Sequence, residues 1–308
     1  MCPMSMTRMR SGCPVPGDSE SLLICCALLL LACAGASAQE LEPQSYSDTP
    51  PRINFVAAGY VRSDGAVLFD TSAPITDVQA GIDSLTAVYG GTTTVFGHTG
   101  SYAVGAPYVW ADVRGNVGDA SGTVVRSGPA DLRVRIAMDL LGRQSRPLVG
   151  ASLTLIAPTG QYDSSRLINI GSNRWSFKPE IGMALPRGRW LLETSLGAWF
   201  YTDNDAFLGG RRREQESIAA VQVHVSYSFR PGWWIAASAT YYRGGRTTVD
   251  GIENDDLQGN SRVGAVLSAP LTAHQSLKLA WSGGVSTRFG GDFDTWSVFW
   301  QYAWVRKG

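Results

Sequence analysis

Alternation between apolar and polar side chains, in segments of roughly ten residues, most limits what this chain can become. In Glu216–Arg230, Ala219, Val221, Val223, Val225, Tyr227 and Phe229 share one face. Ile218, Ala220, Gln222, His224, Ser226 and Ser228 share the other. A period of two marks a β-strand whose two faces meet different surroundings. Arg189–Thr202 sets Trp190, Leu192, Thr194, Leu196, Ala198 and Phe200 against Glu193, Ser195 and Trp199. Gln275–Phe289 sets Leu277, Leu279, Trp281, Gly283, Val285 and Phe289 against Lys278, Ser282, Ser286 and Arg288. Earlier, Leu132, Val134, Ile136, Met138 and Leu140 oppose Arg133, Arg135 and Asp139, and Trp175, Phe177, Ile181, Met183 and Leu185 oppose Lys178 and Glu180. The last segment places Trp296, Val298, Trp300, Tyr302 and Trp304 on one face.

About twelve strands follow from this pattern: near 52–63, 84–96, 100–112, 130–141, 148–158, 174–186, 188–203, 216–230, 232–244, 260–271, 275–289 and 293–305. Short connections at "FGHT", "GRQSR", "PRG", "RPG" and "TAH" alternate with long polar ones, such as "DNDAFLGGRRREQ" and "GRTTVDGIENDDLQGN". This predicts an all-β fold: an up-and-down antiparallel transmembrane β-barrel with short periplasmic turns and long external loops. An even strand number returns both termini to the periplasmic side.

A soluble barrel also alternates, so the position of the aromatics decides. Trp190, Phe200, Tyr227, Phe229, Trp233, Tyr241, Trp296, Trp300, Tyr302 and Trp304 cluster toward strand ends, with aliphatic and small residues between. Two girdles around an apolar band are what a bilayer selects, and these ten residues are expected to face lipid. Trp304 would lie near the periplasmic interface. Outer-membrane barrels that resemble this chain commonly end in an aromatic that the assembly machinery reads, and Trp304 is the expected counterpart, although Val305-Arg306-Lys307-Gly308 extends past it.

The N-terminal stretch reads differently. Arg8 and Arg10 precede an apolar run, Leu22–Ala34, too short to span a bilayer as a helix, and Ala36-Ser37-Ala38 follows as a small-x-small cleavage signature. Residues 1–38 are the expected signal peptide, with Leu30-Leu31-Ala32-Cys33 as a competing lipoprotein box. Residues 39–51 form an N-terminal periplasmic segment that could plug the periplasmic mouth, and 52–305 the barrel. All five cysteines fall in the leader, so the exported chain lacks a disulfide framework, thiolate catalysis and cysteine-held metals. His98, His224 and His274 are far apart and none lies in a metal-ligand motif. The 26 basic and 26 acidic residues balance, which gives no sign of a nucleic-acid partner.

Further features carry a resemblance. "APTG" (157–160), "NRW" (173–175), "TDND" (202–205), "SFRPG" (228–232) and "GGRTTVDG" (244–251) stand in the C-terminal half. "VLFDTSAPITDV" (67–78) and "APYVW" (106–110) are weaker signals in the N-terminal half. Over Pro51–Trp304 the chain resembles the family described as the "putative MetA-pathway of phenol degradation". The resemblance implies a barrel in the Gram-negative outer membrane, tied by its name to uptake of aromatic compounds. It supplies no site residues.

An ionisable side chain on the lipid face costs a few kcal/mol near mid-membrane. Arg133, Arg135, Asp139, Lys178, Glu180, Glu193, His224, Lys278 and Arg288 are therefore expected to line the lumen, as a pore surface or as a salt-bridge network filling it. His224 and Ser226 share a face and raise a membrane-embedded lipid esterase as an alternative, because twelve-stranded outer-membrane phospholipases use a His-x-Ser pair. No orienting acid stands out on a neighbouring strand. The acidic "TDND" and "ENDD" (253–256) lack the glycine spacing of a calcium loop. Arg211-Arg212-Arg213 could meet lipopolysaccharide phosphates. The chain thus reads as a passive, non-enzymatic channel for small hydrophobic or aromatic solutes, without cofactor or metal. Its expected partners are outer-membrane lipids, solutes and the assembly machinery. A structural or adhesive barrel is the other alternative.

Overall fold

The computed structural model describes residues 42–47, 50–68, 75–117, 120–141, 146–166 and 168–306. The expected signal peptide lies outside the described residues. The first strands are β1 (Ile53–Leu68), β2 (Ile75–Val95), β3 (His98–Val117), β4 (Ala120–Pro129), β5 (Leu132–Asp139) and β6 (Leu148–Ala157). Next come β7 (Ser176–Arg187), β8 (Trp190–Tyr201), β9 (Asn204–Phe207), β10 (Arg211–Gln215), β11 (Ile218–Arg230) and β12 (Trp233–Gly244). The last are β13 (Thr247–Val249), β14 (Ile252–Glu253), β15 (Gln258–Pro270), β16 (Gln275–Ser286) and β17 (Gly290–Val305).

The large sheet closes on itself. β1 pairs with β17 from Ile53↔Val305 to Leu68↔Gly290, and with β2 on its other edge. β2 pairs with β3, and β3 meets β5 through Gly100↔Met138 to Gly105↔Arg133. The circuit runs on through β6, β7, β8, β11, β12, β15 and β16 back to β17. All neighbours are antiparallel, giving a closed barrel of twelve strands. Closure satisfies the backbone of every strand, which a bilayer demands. Tight turns at Gly97, Gly188 and Gly232, each with positive φ, lie at the end where β1 begins and β17 finishes. Short turns assign that end to the periplasm.

The external end differs from expectation. Ser63–Asp83 reads as a polar loop in the sequence, but β1 runs on to Leu68, β2 begins at Ile75, and the two stay paired out to Ala66↔Gln79. β3 and β4 likewise pair from Tyr108↔Pro129 to Val117↔Ala120. The reason is a buried apolar cluster inside these extensions: Val67, Val78, Ala80 and Val113, with Phe293 of β17 and Ile168 of the external loop. Burying that face holds strands whose other face is polar. A small second sheet, in the order β14-β13-β10-β9, joins two further external connections.

Outward positions are large and apolar: Leu196 is 57% exposed, Leu85 53% and Ile181 52%. A continuous belt of this kind cannot face water. Trp190 and Phe200 bracket it on β8, and ~33 Å of strand tilted by about 40° spans roughly 25 Å, the height of a barrel's apolar band. Past Tyr60 and Trp110, outward charges begin at once, with Arg62 paired to Asp64 and Asp83, and Arg114 to Asp112.

Candidate functional site

The barrel interior is not empty. Residues 42–47 lie inside its periplasmic half, where Gln44 adopts a left-handed φ of 67° and Ser47 Oγ donates to the Gln44 carbonyl at 2.8 Å. This turn places Tyr46 against the wall. On that wall Gly150 of β6 and Gly182 of β7 are direct partners, and a Cβ at either would enter the Tyr46 ring. The two glycines leave a slot one aromatic ring deep.

Around the slot the inward faces of β5 to β8 supply polar groups. The Tyr46 hydroxyl donates to Glu180 Oε1 at 2.8 Å and lies 3.1 Å from Ser152 Oγ. Glu193 accepts the backbone N–H of Gln44 at 2.6 Å and of Tyr46 at 3.2 Å, one on each carboxylate oxygen. Lys178 Nζ holds Glu180 Oε2 at 2.9 Å. Arg135 Nη2 donates to Ser152 at 3.2 Å, and its guanidinium sits 5.8 Å from the Tyr46 ring centroid. Glu42 lies between Arg133 and Arg135, at 3.7 and 3.5 Å. Alternation puts these groups indoors because lipid would penalise them outdoors. Once indoors, charges need partners, since an unpaired buried ion costs several kcal/mol. The insert supplies part of that pairing and narrows the lumen.

The structure therefore brings Arg133, Arg135, Lys178, Glu180 and Glu193 together around one peptide turn, with His224 directly opposite Glu193 on β11. Asp139 stands at the periplasmic rim, where it accepts the Thr99 N–H at 2.6 Å and lies 2.9 Å from His98 Nδ1. Lys278 stands on the far wall and is solvent-exposed although it points inward. Arg288 is a correction. It lies beyond the end of β16 in the external turn, half exposed and 3.8 Å from Asp255. Alternation carried it into the lumen only because it was followed past the strand end.

Higher in the barrel, Trp199, Ile218, Ala220 and Tyr242 form a second buried cluster. Lys178 Nζ sits 5.5 Å from the Trp199 ring, and the Arg174 guanidinium 4.3 Å from the Tyr201 ring. Arg262 donates to the Phe293 carbonyl. Glu42, Tyr46, Arg174, Trp199, Tyr242 and Arg262 did not stand out as site residues in the sequence. Parity could have flagged Trp199, Tyr242 and Arg262; nothing local marks Tyr46.

Of the expected lipid-facing aromatics, Trp190, Phe200, Phe229, Tyr241, Trp296, Trp300 and Tyr302 are exposed, and Tyr227, Trp233 and Trp304 half-buried. Trp190 and Tyr227 are register partners with ring centroids 4.8 Å apart, and Tyr302 and Trp304 lie 5.9 Å apart.

His224 Nδ1 lies 2.8 Å from Ser238 Oγ, and the buried Ser226 hydroxyl has no hydrogen-bond partner. Ser226 thus lacks the base that a nucleophile needs. In the external sheet, Arg212 is held by Asp203, Asp205 and Glu214, whose charges raise its pKa, Asp203 most. Arg211 lies 4.0 Å from Asp250, and Arg213 is buried over Phe207. Asp256 accepts Thr247 N–H at 2.8 Å and Thr247 Oγ1 at 2.6 Å, and burial pushes its carboxyl pKa up. Among the described residues no cluster of three or more His, Cys, Asp or Glu could hold a metal ion.

The family model described as "Putative MetA-pathway of phenol degradation" matches residues 62–296. Among solved structures, the chain is similar to an outer-membrane channel from Pseudomonas putida F1, at 20% identity and a TM-score of 0.77, covering 86% of this chain and 100% of that one. It is also similar to the β domain of the Bordetella autotransporter BrkA, at 13% identity and a TM-score of 0.53, covering 82% and 99%. These likenesses show the fold, that of an outer-membrane barrel. No curated protein matches the chain.

Proposed function

Because the chain belongs to the family described as "Putative MetA-pathway of phenol degradation", we propose that it is a passive outer-membrane channel for small hydrophobic or aromatic compounds. The observation that carries this reading is the inner lining of the external mouth. Val67, Val78, Ala80, Val113, Ile168 and Phe293 meet there inside the barrel. A pore for sugars or ions would present polar groups at its entrance. These side chains are packed together at 2–5% exposure, so an apolar solute would enter by parting them and burying its own surface among them, at about 25 cal/mol per Å² of apolar surface buried.

Below that entrance, the insert at 42–47 and its polar partners make a constriction. Solvent reaches Lys278 across the lumen from it, which supports a narrow path along the opposite wall. Passive passage fits a chain that carries no nucleotide motif. A non-catalytic role is supported by the lack of a base for Ser226. Export by a cleaved signal peptide at 1–38 belongs to the same reading. The aromatic row ending at Trp304 supports recognition by the assembly machinery. Lipopolysaccharide phosphates would have to displace Asp203 and Asp250 from Arg212 and Arg211.

The test is uptake by cells. Deleting the gene should slow entry of phenol and benzyl alcohol at micromolar supply without slowing glucose, and the wild-type chain should restore it. Unchanged entry of every aromatic solute, with a leaky or fragile envelope, would support a structural barrel instead.

A further inference from the structure

We propose that the wall built from β12, β15, β16 and β17 carries an anion-binding station at Lys278 and Trp234, which takes the carboxylate or phenolate of an aromatic solute. This rests on the reading that the lumen passes small aromatic molecules, and it names the charge state passed.

Lys278 is inward-facing: Leu279 and Trp281, on the other face of its strand, point to lipid, where the Trp281 ring lies tilted against Trp296 with centroids 6.3 Å apart. Lys278 points into the lumen and its surface there is open to solvent. No carboxylate among the described residues lies within ion-pair distance of it, unlike Lys178, which sits 2.9 Å from Glu180. Glu42, the carboxylate of the insert, already lies between Arg133 and Arg135. A solvent-exposed cation inside the lumen with no carboxylate beside it attracts anions to that wall.

The surroundings specify the rest of that anion. Lys278 Nζ is 5.8 Å from the Trp234 ring centroid. Ser268 is opposite Lys278 on β15 and opposite Trp234 on β12, and Phe299 is opposite Lys278 on β17. The Phe299 ring lies flat over Gly59, where a Cβ would strike it. Two aromatic surfaces and one buried hydroxyl thus flank the ammonium group. A ring can pack on Trp234 or Phe299 while its charged oxygen meets Lys278. A metal or organic cation would meet repulsion, and a hydrocarbon would leave Lys278 unanswered.

The same wall leads to the station. From Lys278 outward, its inward residues are Ala280, Val266, Ala236, Gly264 and Ser282, small or apolar throughout. The track ends at Arg262, buried, with no ion pair among the described residues. Its Nη2 donates to the Phe293 carbonyl and lies 3.5 Å from Ser282 Oγ. Arg262 faces Gly284 in the register and Lys278 faces Ser268, so the two cations stand on neighbouring strands, six register steps or roughly 20 Å apart along the strand direction. The first lies under the apolar cluster and the second on the wall across the lumen from the Tyr46 slot.

The experiment uses the full exported chain in planar bilayers and vesicles, with benzoate and benzyl alcohol as charged and neutral probes of equal ring size. Wild type should show an anion-selective reversal potential in a potassium benzoate gradient. Lys278→Gln should lower the benzoate-to-benzyl alcohol flux ratio by roughly fivefold, the scale of one solvated ion pair, and Lys278→Arg should retain it. Heat-modified gel mobility checks that each variant folds. An unchanged ratio in Lys278→Gln, or equal loss in Lys278→Arg, overturns the station and leaves the aromatic channel standing. Passage of neither probe through wild type overturns the aromatic channel itself.

Discussion

The ring of Tyr46 lies against Gly182 so closely that any side chain there would occupy the same space. Gly150 stands beside it across β6 and β7, and the pair makes a ring-shaped recess in a wall that otherwise bears side chains. Tyr46 therefore docks by shape first and by its bonds to Glu180 and Ser152 second. Overpacking a filled site costs about 1–3 kcal/mol. Gly182→Val should expel the insert without disturbing strand pairing. Single-channel conductance is expected to rise severalfold, and an unchanged conductance would mean that the insert does not set the constriction.

Glu193 holds the insert by its backbone. Both carboxylate oxygens are used, one on Gln44 N–H and one on Tyr46 N–H. Hydrogen bonds to a charged group contribute about 1.5–3 kcal/mol each. Glu193→Gln leaves one acceptor and turns an amide donor toward the other N–H. Hydrogen exchange at Gln44 and Tyr46 should speed up roughly tenfold or more, while exchange in β8 and β11 stays slow. Equal rates in wild type and variant would show that the glycine recess holds the turn alone.

Val223 tests the bilayer directly. It lies on β11, outward and 40% exposed, between Gln222 and His224, which are buried indoors. An arginine on the lipid face near mid-membrane costs about 2–4 kcal/mol. Val223→Arg should lower unfolding stability in vesicles by that amount, with Val223→Leu close to neutral. A soluble protein would tolerate both.

Asp256 gives the external sheet a pH dependence of a stated sign. Burial raises its pKa, and the Thr247 bonds pull it only part of the way back. A carboxyl that binds its proton more tightly when folded adds stability below its unfolded pKa of ~3.9, and loses that addition as pH rises toward the folded value. The midpoint of thermal unfolding in detergent, wild type minus Asp256→Asn, should therefore fall as pH increases from about 3.5. A difference independent of pH would contradict the raised pKa.

The barrel was legible in the sequence wherever one strand face met lipid and the other the lumen. Each of the twelve expected strands has a counterpart in the circuit, and the turns at Gly97, Gly188 and Gly232 sit where the short connections fell. Legibility failed where another rule governs. Val67, Val78 and Val113 hold the external hairpins through a cluster that needs Phe293, far along the chain on the last strand. The sheet joining Arg213 to Val249 uses strands too short to show alternation. Tyr46 carries no local pattern, because its site is a gap between two distant glycines. Arg288 was misplaced because a strand end leaves no mark on parity.

The central claim is that this barrel passes small aromatic solutes. The most direct measurement is flux through the purified chain in vesicles containing lipopolysaccharide, with a panel of phenols and benzoates against sugars and amino acids. The account predicts that the aromatic members enter well above protein-free vesicles, while sugars and amino acids stay near the background. Entry of sugars and amino acids at rates matching the aromatics, or no entry above background for any solute, would contradict it.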